Sequence, residues 1–296
     1  MPLTLLETKF ERLSNGKRLR VARLGTGSPV VLLHGYPENL QVWSRLAPLL
    51  AERYEVIAFD WPGQGYSEEW AGGATPQLLA KRLLVILEEL KIEQPTLIGM
   101  DMGGQPALMF AAIFPESIAR LVVMNSLVFG DEPTSWEIHL LRKFGFNRFA
   151  LRYLPEIIFR RAEATFLPHG VKLDEAIRAD FWTAFSQAGV RRSLSKMCAG
   201  YQGTLPLLPS FYEKITCPTL VLWAENDKHF PLSQAKRLHT TIPSSKLRVI
   251  QGGTHWMALV LAEEVAESIG EDLAPNKPRQ NVDLNPVHRE RIPDGF

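Results

Sequence analysis

The chain has 296 residues, 33 lysines and arginines against 32 aspartates and glutamates, and 46% hydrophobic residues. That is enough for one large globular domain, or a domain carrying an insertion, and it excludes a disordered chain. A net charge of +1 leaves no electrostatic case for nucleic acid or an acidic membrane surface.

Cys198 and Cys217 are too few for a disulfide framework or a cysteine-based zinc site, and read as small thiols in a reducing compartment. The amino-terminal stretch mixes acidic and basic residues before any long apolar run, so no secretory signal is expected and a cytoplasmic location is. The longest stretch free of charged residues and histidine, 197–212, is short and broken by Gly200, Gly203, Pro206 and Pro209. It does not read as a membrane span.

In chain order, the turn signal Asn15-Gly16 followed by the alternating run 17–24 predicts an opening hairpin. Short apolar runs at 29–33, 56–59, 96–98, 121–124, 219–223 and 247–250 read as buried parallel strands. Between them, 77–90 repeats Leu78, Leu79, Leu83, Ile86, Leu87 and Leu90 at helical spacing. Segment 105–114 is almost wholly apolar and predicts a buried helix, and 233–240 and 256–269 predict two more. This alternation gives an α/β fold class, a mostly parallel, doubly wound sheet with helices on both faces. From about 130 to 208 no strand run appears, while 136–146, 156–165, 173–185 and 191–199 are helical. The expected organisation is a core of 1–129 and 209–274, an inserted all-helical cap over 130–208, and an extended tail over 275–296 that is polar and holds several prolines.

In an open parallel sheet, functional groups collect beyond the carboxyl ends of the strands. After the strand at 96–98 stands Gly99-Met100-Asp101-Met102-Gly103. This is the frame of the Gly-x-Ser-x-Gly elbow, which lifts a nucleophile onto a sharp strand-to-helix turn, with Asp101 in place of serine. His34-Gly35-Tyr36-Pro37 follows the strand at 29–33. The backbone N–H groups of Tyr36 and Met102 are candidate oxyanion donors. Asp227 follows the strand at 219–223, and His255 follows the last strand within Gly252-Gly253-Thr254-His255-Trp256. The order is nucleophile, acid, base.

With these motifs together, residues 18–269 resemble the α/β-hydrolase superfamily, and within it the branch with an aspartate nucleophile. That branch holds the epoxide hydrolases and the haloalkane and fluoroacetate dehalogenases. A carboxylate needs no base to ionise it at neutral pH, so Asp101 could attack an sp³ carbon directly and form an alkyl ester. The resemblance implies that His255 then activates water to hydrolyse the ester, with Asp227 orienting the imidazole. No cofactor is implied. An ordinary esterase is disfavoured, because it needs an alkoxide or thiolate at the elbow.

The leaving group separates the reactions. An epoxide oxygen needs a proton donor, and the family usually places two tyrosines in the cap for this. Tyr201 resembles the second of these, although Gln202 departs from the family's pattern. Tyr153 lies near where the first is expected, but it could equally fill the cap core and bond locally. Dehalogenases instead use a tryptophan after the nucleophile, an asparagine in the His-Gly-x-Pro motif, or arginines beside the nucleophile. Here those places hold Met102, Tyr36 and Gln105. The expected partners are a small apolar epoxide and water, bound by His34, Pro37, Trp43, Trp136, Trp182 and Trp256, with core packing the plainer role for the first three tryptophans.

Plainer readings stand beside several of these. Asp101 could be a helix N-cap, Glu225 competes with Asp227 as the acid, and Tyr212 reads as structural. Segment 61–67 is a turn and not a phosphate cradle. His229 and His239 lack metal-ligand spacing, so no metal is expected. The paired arginines at 160–161 and 191–192 read as solvated surface. The alternatives to epoxide opening are haloalkane or haloacid dehalogenation through the same ester, and a non-catalytic hydrolase-fold receptor for small molecules. The chain is expected to be a monomer or a homodimer.

Overall fold

The computed structural model describes residues 4–273. The expected tail over 275–296 lies outside them. Strands β1 (Lys9–Arg12), β2 (Arg18–Leu24), β3 (Pro29–Leu33), β4 (Glu55–Phe59), β5 (Thr96–Met100), β6 (Arg120–Met124), β7 (Thr219–Ala224) and β8 (Ser245–Ile250) form one sheet in the order β1-β2-β4-β3-β5-β6-β7-β8. β1 and β2 pair antiparallel, as does β2 with β4, and every other neighbour is parallel. The predicted fold class therefore holds. β5 and β7 are buried along their whole length, as expected of strands covered on both faces.

Helices α1 (Leu46–Ala51), α2 (Pro76–Glu89) and α3 (Gly104–Ile113) follow β3, β4 and β5. Thr75 caps α2 by accepting from the Leu78 N–H, and Pro76 stands at its first position. Between β6 and β7 the described helices are α4 (Trp136–Leu141), α5 (Phe144–Tyr153), α6 (Pro155–Phe166), α7 (Glu175–Phe185), α8 (Ala188–Thr204) and α9 (Pro209–Tyr212). Helices α10 (Leu232–Thr241), α11 (Met257–Val260) and α12 (Ala262–Leu273) complete the chain.

Three helices differ from expectation. The segment 136–146 is divided, because Arg142 closes α4 by donating to the Gly130 carbonyl at 2.7 Å and Lys143 turns extended before α5. The segment 256–269 breaks at Leu261, which leaves helical geometry and lets α12 turn against α1. Helix α8 runs past 199 through Gly200, where a Cβ would stand 3.0 Å from the Thr75 methyl. That glycine is a close approach between helices, not a stop.

A buried ionic cluster ties α7 to the sheet. The Arg20 guanidinium on β2 donates to both Asp180 oxygens at 3.2 and 3.0 Å and lies 3.5 Å from Asp60, while Asn39 Nδ2 donates to Asp180 at 2.6 Å. Burial pushes the Asp60 carboxyl up to about 6 against the pull of Arg20.

Candidate active site

Asp101 stands between β5 and α3 with φ of +51°. That left-handed backbone costs a non-glycine residue about 1–2 kcal/mol. It is held by two bonds: the Ser126 hydroxyl donates to the Asp101 carbonyl at 2.6 Å, and the Asp101 N–H donates to the Asn125 carbonyl at 3.1 Å. The turn is too tight for side chains beside it. A Cβ on Gly99 would collide with the Gly103 carbonyl, and one on Gly103 with the Leu33 carbonyl. Across from the elbow, a Cβ on Gly35 would overlap Asp101 itself. This brings the loop after β3 onto the carboxylate. Asp101 Oδ1 accepts from the Tyr36 N–H at 3.2 Å and from the Met102 N–H. The two expected oxyanion donors meet on one oxygen.

The other oxygen faces the imidazole. His255 Nε2 lies 3.3 Å from Asp101 Oδ2, an ion-pair distance without the alignment of a full hydrogen bond, and His255 Nδ1 lies 2.7 Å from Asp227 Oδ2. Asp227 Oδ1 accepts the N–H groups of His229 at 2.8 Å and Phe230 at 3.1 Å. Burial alone would lower the His255 imidazole. The Asp227 charge, the contacts with Asp101 and Asp227, and the Asp101 charge outweigh burial and raise it to about 10. Burial would raise Asp227, but the His255 charge and its hydrogen bond, with the Phe230 and His229 N–H groups, hold it below its ordinary value. Glu225, the competing acid, points away and accepts from the Gly252 N–H at 2.9 Å.

The family described as "alpha/beta hydrolase fold" matches residues 28–260. The chain belongs to the α/β-hydrolase family. This α/β hydrolase is 26% identical to "Uncharacterized hydrolase YugF" of Bacillus subtilis (strain 168), over 83% of its own length and 88% of the relative's. It is 28% identical to "Epoxide hydrolase 4" of Mus musculus, over 78% of its own length and 69% of the relative's. The crystal structure of a bromoperoxidase from Bacillus anthracis superposes with a TM-score of 0.76 at 22% identity, covering 91% of this chain and all of the other, a likeness of fold.

The α/β hydrolase does not gather every residue nominated from the sequence. Tyr201 on α8 is buried, and its hydroxyl reaches the Met102 carbonyl at 3.4 Å. Tyr153, at the end of α5, is 59% exposed and leans on Phe149 and Arg152. That exposure does not favour the expected lid tyrosine there. His34 is also not a substrate contact. Its Nε2 accepts the Trp61 N–H at 3.1 Å, so Nδ1 carries the proton and donates to the Gly35 carbonyl at 2.8 Å. Burial lowers this imidazole to about 4 and keeps it neutral, a strut under the oxyanion loop. Trp43 is wholly buried, in its packing role. Trp182 packs on Phe159 and Phe185. Trp256 lies against Phe166 and Phe181 and donates its indole N–H to Glu38 at 3.1 Å.

Two cavities flank the site. An apolar one of about 140 Å³ lies between Tyr36, Pro37 and His229 on one side and α4–α6, with Phe166 at the end of α6, on the other. An outer one of about 1180 Å³ is lined by Cys198 and Tyr201 among others. Trp136, itself 64% exposed, borders both. Among the described residues, no three His, Cys, Asp or Glu side chains converge as metal ligands.

Sequence reasoning missed four contributors. Glu38, directly after the His-Gly-Tyr-Pro motif, accepts from the Gly35 N–H at 3.0 Å as well as from Trp256. Burial and then the Asp101 charge push it up to about 7, opposed by His255 and the Trp256 bond. Its position beside the motif was the available signal. Asn125 accepts from the Ala224 N–H at 2.8 Å and donates to the His255 carbonyl at 2.9 Å, bridging two loops of the site. Phe166 sets its ring 4.0 Å from that of His255. His229 clasps the helices to the acid loop, with Ser135 Oγ 2.6 Å from one ring nitrogen and Thr165 Oγ1 2.8 Å from the other.

Proposed function

We propose that this α/β hydrolase opens an epoxide to a vicinal diol through an alkyl ester on Asp101. The observation that carries the reading is a carboxylate at the elbow whose two oxygens have different surroundings. Oδ1 holds both oxyanion N–H groups, and Oδ2 is left toward His255. Oδ2 attacks an epoxide carbon, the C–O bond breaks, and a buried phenol such as Tyr201 supplies a proton to the departing oxygen. The cap expected over 130–208 supplies that phenol.

The charge pattern also fits a two-step reaction. In the free protein, His255 sits between two carboxylates and binds its proton tightly. Esterification removes the Asp101 charge, so the imidazole gives up its proton through solvent to the phenolate left by the first step and becomes a usable base. Water then attacks the Asp101 carboxyl carbon and gives its proton to His255. The negative charge gathers on Oδ1, already held by the Tyr36 and Met102 N–H groups. Collapse of this intermediate breaks the bond to the substrate oxygen, which takes the proton of the attacking hydroxyl, and frees the diol and the Asp101 carboxylate.

Dehalogenation would use the same ester but needs N–H donors for the halide. The indole N–H groups of Trp61, Trp223 and Trp256 are committed to the His34 carbonyl, the Phe230 carbonyl and Glu38, while those of Trp43 and Trp70 have no hydrogen-bond partner among the described residues. Phenols suit an alkoxide better. The likeness to "Epoxide hydrolase 4" adds to this reading. The test is single-turnover hydrolysis of styrene oxide in H₂¹⁸O, with mass spectrometry of the peptide holding Asp101. Diol with ¹⁸O in Asp101 is the expected result. Diol without label there means direct attack by water and ends the ester mechanism.

A further inference from the structure

We propose that the hydroxyl of Tyr36, from the core loop after β3, is the second donor to the leaving epoxide oxygen, paired with Tyr201 from α8. This rests on the epoxide reading above and assigns a residue that the sequence pattern places elsewhere.

Tyr36 begins at the nucleophile, because its own N–H holds Asp101 Oδ1 at 3.2 Å. Its ring runs from there along the apolar cavity beside Pro37, Phe166 and His229, and is fixed edge-on against Phe185 at 5.9 Å. The residue is 7% exposed, and its hydroxyl has no hydrogen-bond partner among the described residues. A buried tyrosine hydroxyl ordinarily finds a partner, and leaving one unmade costs about 1–3 kcal/mol. A group that bears this cost at the wall of a cavity, on the residue that also holds the nucleophile, is placed for a ligand atom.

Tyr201, on α8, lies against the residue that follows the nucleophile. Its hydroxyl makes one long contact, 3.4 Å to the Met102 carbonyl, beyond the 2.5–3.0 Å of a good O–H···O bond. It can therefore be released to a substrate. The two phenols share surroundings. Burial raises each well above 10, and the Cys198 and Asp101 charges add to this in both. Both stay protonated at any working pH. An epoxide oxygen carries two lone pairs and can accept from both. Tyr153, exposed at the end of α5, lines neither cavity.

The step balances without an outside reagent. Asp101 Oδ2 forms a bond to carbon, the C–O pair moves onto oxygen, and one phenol gives that oxygen its proton. Once the ester has formed, the proton that His255 carried in the free protein passes through solvent to the phenolate, and the neutral imidazole then takes a proton from the attacking water and ends the cycle protonated, as it began.

The experiment compares the protein with Tyr36→Phe, Tyr201→Phe, the double variant and Tyr153→Phe as a control. Quenched-flow mass spectrometry follows formation and decay of the Asp101 ester with styrene oxide. Tyr36→Phe should slow ester formation by about a hundredfold, the low end for loss of a positioned acid. Ester decay should change less than about threefold, since the oxyanion N–H is retained. Its melting temperature should match or exceed that of the unaltered protein, because the change removes a hydroxyl without a partner. Ester formation at the original rate in Tyr36→Phe, with Tyr201→Phe slow, overturns the proposal and leaves the epoxide reading intact. A lowered melting temperature with both steps equally slowed also overturns it, in favour of a structural hydroxyl. No ester on Asp101 in the unaltered protein overturns the reading and the proposal together.

Discussion

The protonation of His255 should depend on the charge of Asp101, and Asp101→Asn tests this directly. The variant keeps the size of the side chain and removes its charge, as esterification would. At 3.3 Å and an effective dielectric of about 20, a unit charge pair is worth about 5 kcal/mol. Both partners are almost wholly buried, with side-chain exposures of 0% and 4%, so solvent takes little from this figure. It corresponds to between three and four powers of ten in proton affinity. The His255 midpoint, about 10 with Asp101 charged, should fall into the neutral range in Asp101→Asn. At pH 7 the imidazole then changes from protonated to largely neutral. The assay is a ¹⁵N titration of histidine-labelled protein, with the His255 signal identified from its loss in His255→Gln. A midpoint that stays near 10 in Asp101→Asn would refute the reasoning. Asp227 alone would then hold the proton, and forming the ester would not create a base.

Three further outcomes follow from the same contacts. His255→Gln should lose at least about a hundredfold in turnover while the Asp101 peptide gains the mass of the epoxide, and steady diol production without that adduct would count against the base role. Glu38→Gln should flatten the pH dependence of stability: Glu38 is raised from 4.5 to about 7 in the folded protein, so its contribution is intact below 4.5 and falls as pH rises through 7, by about 3 kcal/mol in all. Because one of its two N–H donors would then face an amide nitrogen, the slope between pH 4.5 and 7 is the readout in denaturant unfolding, and an unchanged slope refutes it. Asp180→Ala should cost about 2 kcal/mol or more, since it strips a buried guanidinium of one of two carboxylates, and a loss under about 0.5 kcal/mol in the same assay would show the cluster to be neutral.

Sequence periodicity exposed the parts of this molecule governed by burial. The strands β3 to β7 centre on continuous apolar runs, and such runs need no tertiary information to be seen. The elbow, the acid and the histidine were legible because each follows a strand, where the topology itself collects them. What escaped was decided by direction. Tyr153 and Tyr201 are both tyrosines on helices, and only their facing separates a side chain 59% exposed from one that is buried. His34 looked like a site residue because it adjoins one, but both its nitrogens are spent on backbone groups. Helix ends were misread for the same reason. Gly200 resembles a stop in sequence, and the structure uses it to let two helices touch. Glu38 was adjacent to a motif already singled out, yet a carboxylate that takes a backbone N–H and an indole N–H has no periodicity to announce it.

The approach of Gly35 to Asp101 makes the strand register a gauge for the chemistry. The last paired residues of β3 and β5 are Leu33 and Gly99. Counting two residues onward along each strand brings Gly35 opposite Asp101, where the contact occurs. The nucleophile is thus positioned from two chain segments, its own elbow and a strand end set beside it by backbone pairing. A slip of one residue would shift the partners by about 3.3 Å, more than the whole range over which an N–H···O bond is made. The Tyr36 N–H would leave Oδ1 entirely. Apolar side chains such as Val31 and Leu97, buried in the floor of the sheet, therefore contribute to the alignment of a carboxylate they never touch.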